Sequence, residues 1–177
     1  GGTPHADNVG PSVLGGVVLL RGYEPLDIVR LPVPDNFCCS VAHPAIMVST
    51  RMAREVLPKD IPLRTAVKQW GNVAGLVAGL ALGDVHLVGR AMCDVVVEPY
   101  RKRFIPGFDE LREKVLAAGA LAMNISGAGP SVFTLSSDMA VAERVGEIMR
   151  EHFAEQGVGS DIYVCKVSNR GARVLND

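Results

Sequence analysis

Between residues 63 and 82, Val67, Trp70, Val73, Ala74, Val77, Leu80 and Ala81 recur at helical spacing, which predicts the longest helix of the chain. Gly71, Gly75 and Gly79 stand four apart within it, so one face is smooth and suited to close packing. Gly83 closes the run, and Asp84 caps a further helix to about residue 97. A short helix over 51–57 is expected between a Ser49 or Thr50 cap and Pro58, with Met52, Val56 and Leu57 facing the core. Phe108, Leu111, Val115 and Ala118 share one side of a helix that ends at Gly119. Asp138 caps another to Phe153, with Val141, Val145, Ile148 and Met149 in register.

Shorter apolar runs read as strands at 17–21, 28–31, 37–41, 122–126, 132–135, 162–167 and 172–175. His43, before Pro44, is expected to be extended and structural. Strand, strand, helix and strand after a set of helices give an α+β fold, with helices on one face of an antiparallel sheet. There is no internal repeat and no low-complexity segment.

At 177 residues and 48% apolar composition the chain can build a sizeable core. A formal net charge of -1 argues against strong attraction to nucleic acid or membranes, and no run of about 18 apolar residues spans a bilayer. The start, Gly1-Gly2-Thr3-Pro4-His5, lacks the basic and apolar regions of a signal peptide and reads as a chain entered in its middle. Cys38, Cys39, Cys93 and Cys165 lack metal-site spacing and read as buried free thiols in a reducing cytoplasm.

Four stretches offer chemistry. Asn124 to Phe133 place two strand-forming runs around a turn with Gly127 and Gly129 at alternate positions. Such a turn can bring backbone N–H groups to an anion, or simply join two strands. His5-Ala6-Asp7-Asn8 presents an imidazole, a carboxylate and a carboxamide, which suit either a polar substrate or a helix end. Arg51 and Arg54 sit three apart in a helix whose first turns favour acids, a pattern that fits an anionic ligand or solvated cations. Arg101-Lys102-Arg103, in an irregular segment between Pro99 and Pro106, could clamp a carboxylate or phosphate, or face water.

Taken together and in order, these pieces resemble the homoserine kinases of the GHMP kinase superfamily. The carrying residues are His5-Ala6-Asp7-Asn8-Val9, Pro11-Ser12, Gly15-Gly16, His43-Pro44, Val48-Ser49-Thr50, Ala53-Arg54 and Leu57-Pro58. Glu98-Pro99-Tyr100-Arg101, Ile105-Pro106-Gly107-Phe108, Ile125 to Ser131 and Gly171-Ala172-Arg173-Val174 complete the set. The Ser-Gly-Ala-Gly-Pro loop marks the superfamily, and the remaining pieces mark the homoserine kinases.

The resemblance implies phosphoryl transfer from ATP, with Mg²⁺, to the hydroxyl of L-homoserine in threonine biosynthesis. It implies a cytoplasmic enzyme, able to form a homodimer. It also implies two domains, with residues 1–46 the tail of an ATP-binding domain and 47–177 the GHMP kinase C-terminal domain. On this resemblance Asn8 lies beside the substrate hydroxyl, with His5 and Asp7 close by, and Asp7 and Asn8 are the catalytic candidates. Arg54 and Arg101 take the substrate carboxylate, with Thr50 near the same pocket. Ser126, Gly127, Ala128 and Gly129 shape the site by packing against a phosphate loop; no metal ligand falls in this chain.

One departure is large. The family's glycine- and serine-rich phosphate loop does not occur in these residues. The expectation is a carboxy-terminal portion, inactive alone, with ATP and Mg²⁺ held mainly elsewhere. Alternatives are a stand-alone amino-acid-binding α+β module, or another GHMP kinase such as one acting on mevalonate.

Overall fold

The computed structural model describes residues 6–175; His5 lies outside them. The chain begins with helix α1 (Ala6–Leu14), then strands β1 (Val17–Tyr23) and β2 (Leu26–Leu31), which form an antiparallel pair of their own. Strand β3 (Cys38–Pro44) follows, and His43 lies within it, extended as expected. Helices α2 (Thr50–Glu55), α3 (Leu63–Leu82), α4 (Val85–Ala91) and α5 (Glu98–Arg101) come next. Helix α6 (Phe108–Ala117), strands β4 (Ala122–Ile125) and β5 (Val132–Ser136), helix α7 (Met139–Glu155) and strand β6 (Ser160–Lys166) complete the order.

The main sheet has the order β4-β5-β3-β6, and every neighbouring pair is antiparallel. In β3 the buried residues alternate, with Cys38, Ser40, Ala42 and Pro44 inward, as a half-covered sheet requires. Helices α6 and α7 cover that face through Leu111, Val115, Val145, Met149 and Phe153, against Ala42, Met123 and Val132. The buried Ser40 hydroxyl donates to the Ala142 carbonyl at 2.6 Å, which ties α7 to the sheet centre. Helices α3 and α4 reach the molecule's second core, where Leu80 and Val88 meet Phe37 and Leu135. The α+β class with an antiparallel sheet stands, and α3 and α4 add a second packing layer to it.

Local caps explain most boundaries. Ser49 Oγ accepts the Met52 N–H, Asp84 accepts that of Leu87, and Asp138 that of Val141. Gly83 ends α3 in the left-handed region, at φ 69°. The smooth face of α3 packs as expected at two of its glycines. A Cβ on Gly79 would lie 2.9 Å from Val88, and one on Gly75 3.3 Å from Ala91.

Four expectations are corrected. The helix after Asp84 ends at Ala91 rather than near 97. Beyond it, Asp94 gathers the N–H groups of Val96, Val97 and Glu98 and starts a new turn. The segment 98–104 is a short helix followed by a 3₁₀ turn, not irregular chain. Residues 6–14 are helical despite Pro11, which sits beyond the first turn of α1 and leaves the Asp7 carbonyl without its i+4 donor. Residues 172–175 form no strand; Ala172 N–H instead bonds the Ser12 carbonyl at 3.1 Å. There Gly171 passes so close to Val13 that a Cβ would collide with its carbonyl oxygen.

The side chains that face inward also differ from expectation on α2. Met52 is 45% exposed, and Ala53 is the buried residue of α2. On α3 the buried positions are Ala66, Gly79 and Leu80, whereas Leu63, Val67, Trp70 and Val73 face outward. Close approach to α4 demands small residues, so the large apolar ones occupy the free side.

Candidate active site

A cavity of about 390 Å³ is lined by Asp7, Asn8, Thr50, Arg54, Arg101, Gly127 and Ala128. Four separate stretches therefore converge. Asp7 and Asn8 come from the first turn of α1, Thr50 and Arg54 from α2, Arg101 from the end of α5, and the glycine loop from the β4–β5 connection. Thr50 and Arg54 are four apart and so lie on one side of α2. Of the two arginines on α2, Arg51 pairs with Glu55 at 3.5 Å on the solvent side, and Arg54 lines the cavity.

Arg101 is anchored before any ligand arrives. Its Nε donates to the Ala53 carbonyl at 3.1 Å and its Nη1 to the Gly127 carbonyl at 2.9 Å. The guanidinium thereby joins α2 to the glycine loop, and its remaining N–H groups are directed by a held plane. Its neighbours in the basic run part company: Lys102 pairs with Asp109 at 2.6 Å, and Arg103 is exposed.

The glycine loop is closed by its own backbone. Ser126 N–H bonds the Ser131 carbonyl at 2.8 Å, and Gly129 N–H bonds that of Ser126 at 3.0 Å. Gly127 and Gly129 both take positive φ, at 57° and 82°. Gly127 and Ala128 line the cavity; Ser126 and Gly129 are not among its lining residues. His43 Nδ1 lies 2.7 Å from Ser131 Oγ, so β3 braces the loop from behind.

Several supporting residues escaped the sequence reading. Glu98, 6% exposed, is held by Arg112 Nη2 at 2.5 Å, and Arg112 also donates to the Met123 carbonyl at 2.8 Å. Asn124 Nδ2 reaches the same Glu98 oxygen at 3.4 Å. With Asp94 accepting the N–H groups of Val96, Val97 and Glu98, the start of α5, one turn before Arg101, is fixed. Asp94 was findable as a cap ahead of Glu98-Pro99; the Glu98–Arg112 pair, 14 residues apart, gave no local signal.

Electrostatically the cavity suits an anion. Among its lining residues two carry guanidinium groups and one, Asp7, a carboxylate. One carboxylate beside two cations does not make a Mg²⁺ site, which needs several oxygen ligands. Among the described residues no helix is long and apolar enough to cross a membrane.

Residues 76–155 match the family described as GHMP kinases C terminal. The chain contains a GHMP kinase C-terminal domain. Over 176 residues it is 48% identical to a homoserine kinase from Chlorobium phaeobacteroides, covering 98% of this chain and 55% of that protein. A homoserine kinase from Pyrococcus abyssi is 38% identical over 172 residues, covering 97% of this chain and 56% of the relative. The crystal structure of homoserine kinase from Cytophaga hutchinsonii superposes with a TM-score of 0.93 at 50% identity, over 96% of this chain and 54% of that one. The chain thus spans about half the length of the curated relatives it matches. The matched span runs from within α3 to the end of α7 and holds the glycine loop, while Asp7, Asn8, Thr50 and Arg54 precede it.

Proposed function

We propose that this chain supplies the substrate-binding part of an ATP-dependent kinase acting on L-homoserine, giving O-phospho-L-homoserine and ADP. The observation that carries the reading is the convergence of Arg54 and Arg101 on one cavity with the Asn8 carboxamide and Thr50. Two guanidinium groups bind a planar carboxylate by paired hydrogen bonds. Asn8 holds the substrate hydroxyl, which attacks the terminal phosphorus of ATP as the bond to the ADP oxygen breaks. Asp7 stands beside that hydroxyl and accepts its hydrogen bond; phosphoryl transfer asks mainly for positioning and charge stabilisation. His5, just ahead of the described residues, belongs to the same reading. Names of relatives at 38–50% identity support homoserine over mevalonate.

ATP phosphates and Mg²⁺ are held by residues outside those described, and Gly127 and Ala128 pack against that part. We place the junction between the two parts ahead of β3 rather than at residue 46, because β3 is bonded on both sides to strands beyond that residue. A cytoplasmic enzyme fits the free thiols and the biosynthetic relatives. The exposed stripe of α3 supports a homodimer.

The test is reconstitution. The chain is assembled with the amino-terminal part of the Cytophaga hutchinsonii relative and ADP release is followed with L-homoserine, mevalonate or L-threonine. Turnover with homoserine and none with mevalonate is expected. Turnover with mevalonate alone would overturn the substrate assignment.

A further inference from the structure

Away from the glycine loop, α6 and α7 meet at a cluster that the kinase reading does not use. Glu110 comes from the first turn of α6, and His152 and Glu155 from the last turns of α7. One ring nitrogen of His152 and one carboxylate oxygen from each glutamate lie within 4.8 Å of one another. The two glutamates are exposed, but His152 is only 1% exposed. His152 and Glu155, three apart, fall on one side of α7 and reach across the seam to Glu110.

The histidine points to a ligand. Its Nδ1 is sealed from solvent and has no hydrogen-bond partner. A buried imidazole nitrogen left without a partner is unusual enough to need an explanation. Its Nε2 lies 3.4 Å from the Pro106 carbonyl oxygen, the kind of backbone contact that fixes the tautomer of a metal-binding histidine. Gly107 keeps the ring in place, since a Cβ there would stand 2.5 Å from both Cε1 and Nε2. The tautomer protonated on Nε2 leaves the Nδ1 lone pair free.

Lys114 already marks the spot as one for a cation. Its Nζ lies 2.9 Å from Glu110 and 3.0 Å from Glu155. Its hydrogen bond holds the Glu110 carboxyl below its ordinary range, and the two glutamates raise the lysine in turn. One ammonium against two carboxylates still leaves negative charge, and Glu151 joins Lys114, His152 and Glu155 in lining a cavity of about 350 Å³. Lys114 stands on a flexible stem and can swing into solvent.

We propose that Glu110, His152 and Glu155 bind a divalent cation of the zinc class at the α6–α7 seam, where the ion displaces the Lys114 ammonium. One imidazole nitrogen with two carboxylate oxygens suits zinc better than calcium or magnesium, which take all-oxygen sites. The ion links two helices that pack on the sheet, so the site is structural, and it shares no lining residue with the Arg54–Arg101 cavity.

Zn²⁺ calorimetry tests this in a Cys93→Ser/Cys165→Ser background, which removes the two exposed thiols. Saturable binding of one ion per chain and a raised melting temperature are expected. Lys114→Met should tighten binding about tenfold, by removing the competing cation. Glu110→Gln and Glu155→Gln, both at exposed positions, should each weaken it at least about tenfold. Because substitution of the buried His152 endangers folding itself, its ring ¹⁵N shifts are followed with the histidine in place, where Zn²⁺ should move the Nδ1 signal. The proposal is overturned if Lys114→Met binds no Zn²⁺, if both Gln variants bind like the parent, or if the His152 signals stay put.

Discussion

Arg101 donates through Nη1 to the Gly127 carbonyl at 2.9 Å, so a residue of α5 fixes the position of the glycine loop. The same side chain donates through Nε to Ala53 in α2. Lysine carries the charge but not the planar fork, and cannot serve both carbonyls while presenting further donors. Arg101→Lys should therefore cost about 1–2 kcal/mol in urea unfolding. In the reconstituted kinase it should raise KM for homoserine more than it lowers kcat, as loss of a substrate-holding group does. Unchanged stability and KM would remove Arg101 from both roles.

The Glu98–Arg112 pair predicts a non-additive result. Glu98 is nearly buried, and Arg112 also covers the Phe108 ring at 4.7 Å. Arg112→Met leaves a buried carboxylate without its partner, at a cost of about 3–5 kcal/mol. Adding Glu98→Gln removes the stranded charge, so the double variant should be more stable than Arg112→Met alone. Equal or lower stability of the double variant in chemical denaturation would show that the pair acts by packing only.

How far the sequence reveals the fold depends on how local each signal is. The caps at Ser49, Asp84 and Asp138 and the stop at Gly83 depend on residues within one turn, and they are where the sequence places them. The gathering of Arg54 and Arg101 into one cavity is not local, and only the family resemblance carried it in advance. The outward lie of Val67, Trp70 and Val73 on α3 was not legible for a different reason. Periodicity gives the spacing of an apolar face but not its partner, and Gly75 and Gly79 had already marked the side that meets α4. The failed strand at 172–175 had the apolar residues of a strand, but its backbone bonds go to α1 instead of to a sheet edge.

Two glycines with similar φ should respond differently to alanine. Gly127 has φ +57° and nothing within 4 Å of the position an added methyl would take, so Gly127→Ala should cost only the left-handed strain, about 1–2 kcal/mol. Gly107 has φ +63° and the His152 ring 2.5 Å from that position. Gly107→Ala adds overpacking of roughly 1–3 kcal/mol to the same strain. Thermal melts of the two variants, side by side, should rank Gly107→Ala clearly lower; an equal loss would mean that the His152 ring moves freely.

The four thiols should divide by burial. Desolvation lifts the Cys39 thiol to about 11 from an ordinary 9.0, and also raises that of Cys38. Only the thiolate is nucleophilic, so at pH 8 Cys39 should alkylate about a hundredfold more slowly than a free cysteine. Cys93 and Cys165 are exposed, not buried as expected, and should label first. Above pH 9 the unfolded chain loses the Cys39 proton while the folded chain keeps it, so stability falls as pH rises from about 9 towards 11. Mass spectrometry after timed alkylation, with melts across that window, checks both.

The outward stripe of α3 bears on the proposed homodimer. Leu63, Val67, Trp70, Ala74, Val77 and Ala81 alternate four and three apart, the spacing by which one helix seats on another. Leu63 is 71% exposed and Trp70 61%. α3 has no acidic residue; Arg64 and Lys68 lie near its start, and Asp84 stands just past its end. An antiparallel pair of α3 helices about a two-fold axis would bring each Asp84 towards the partner copy's basic end and bury both tryptophans. Trp70→Glu puts a carboxylate into the centre of that seam, where it would be desolvated and unpaired. Sedimentation should give a dimer for the parent chain and a monomer for Trp70→Glu, with α3 still helical by circular dichroism. A dimer that survives Trp70→Glu must use another face, and a monomeric parent would leave α3 to some other part of the polypeptide.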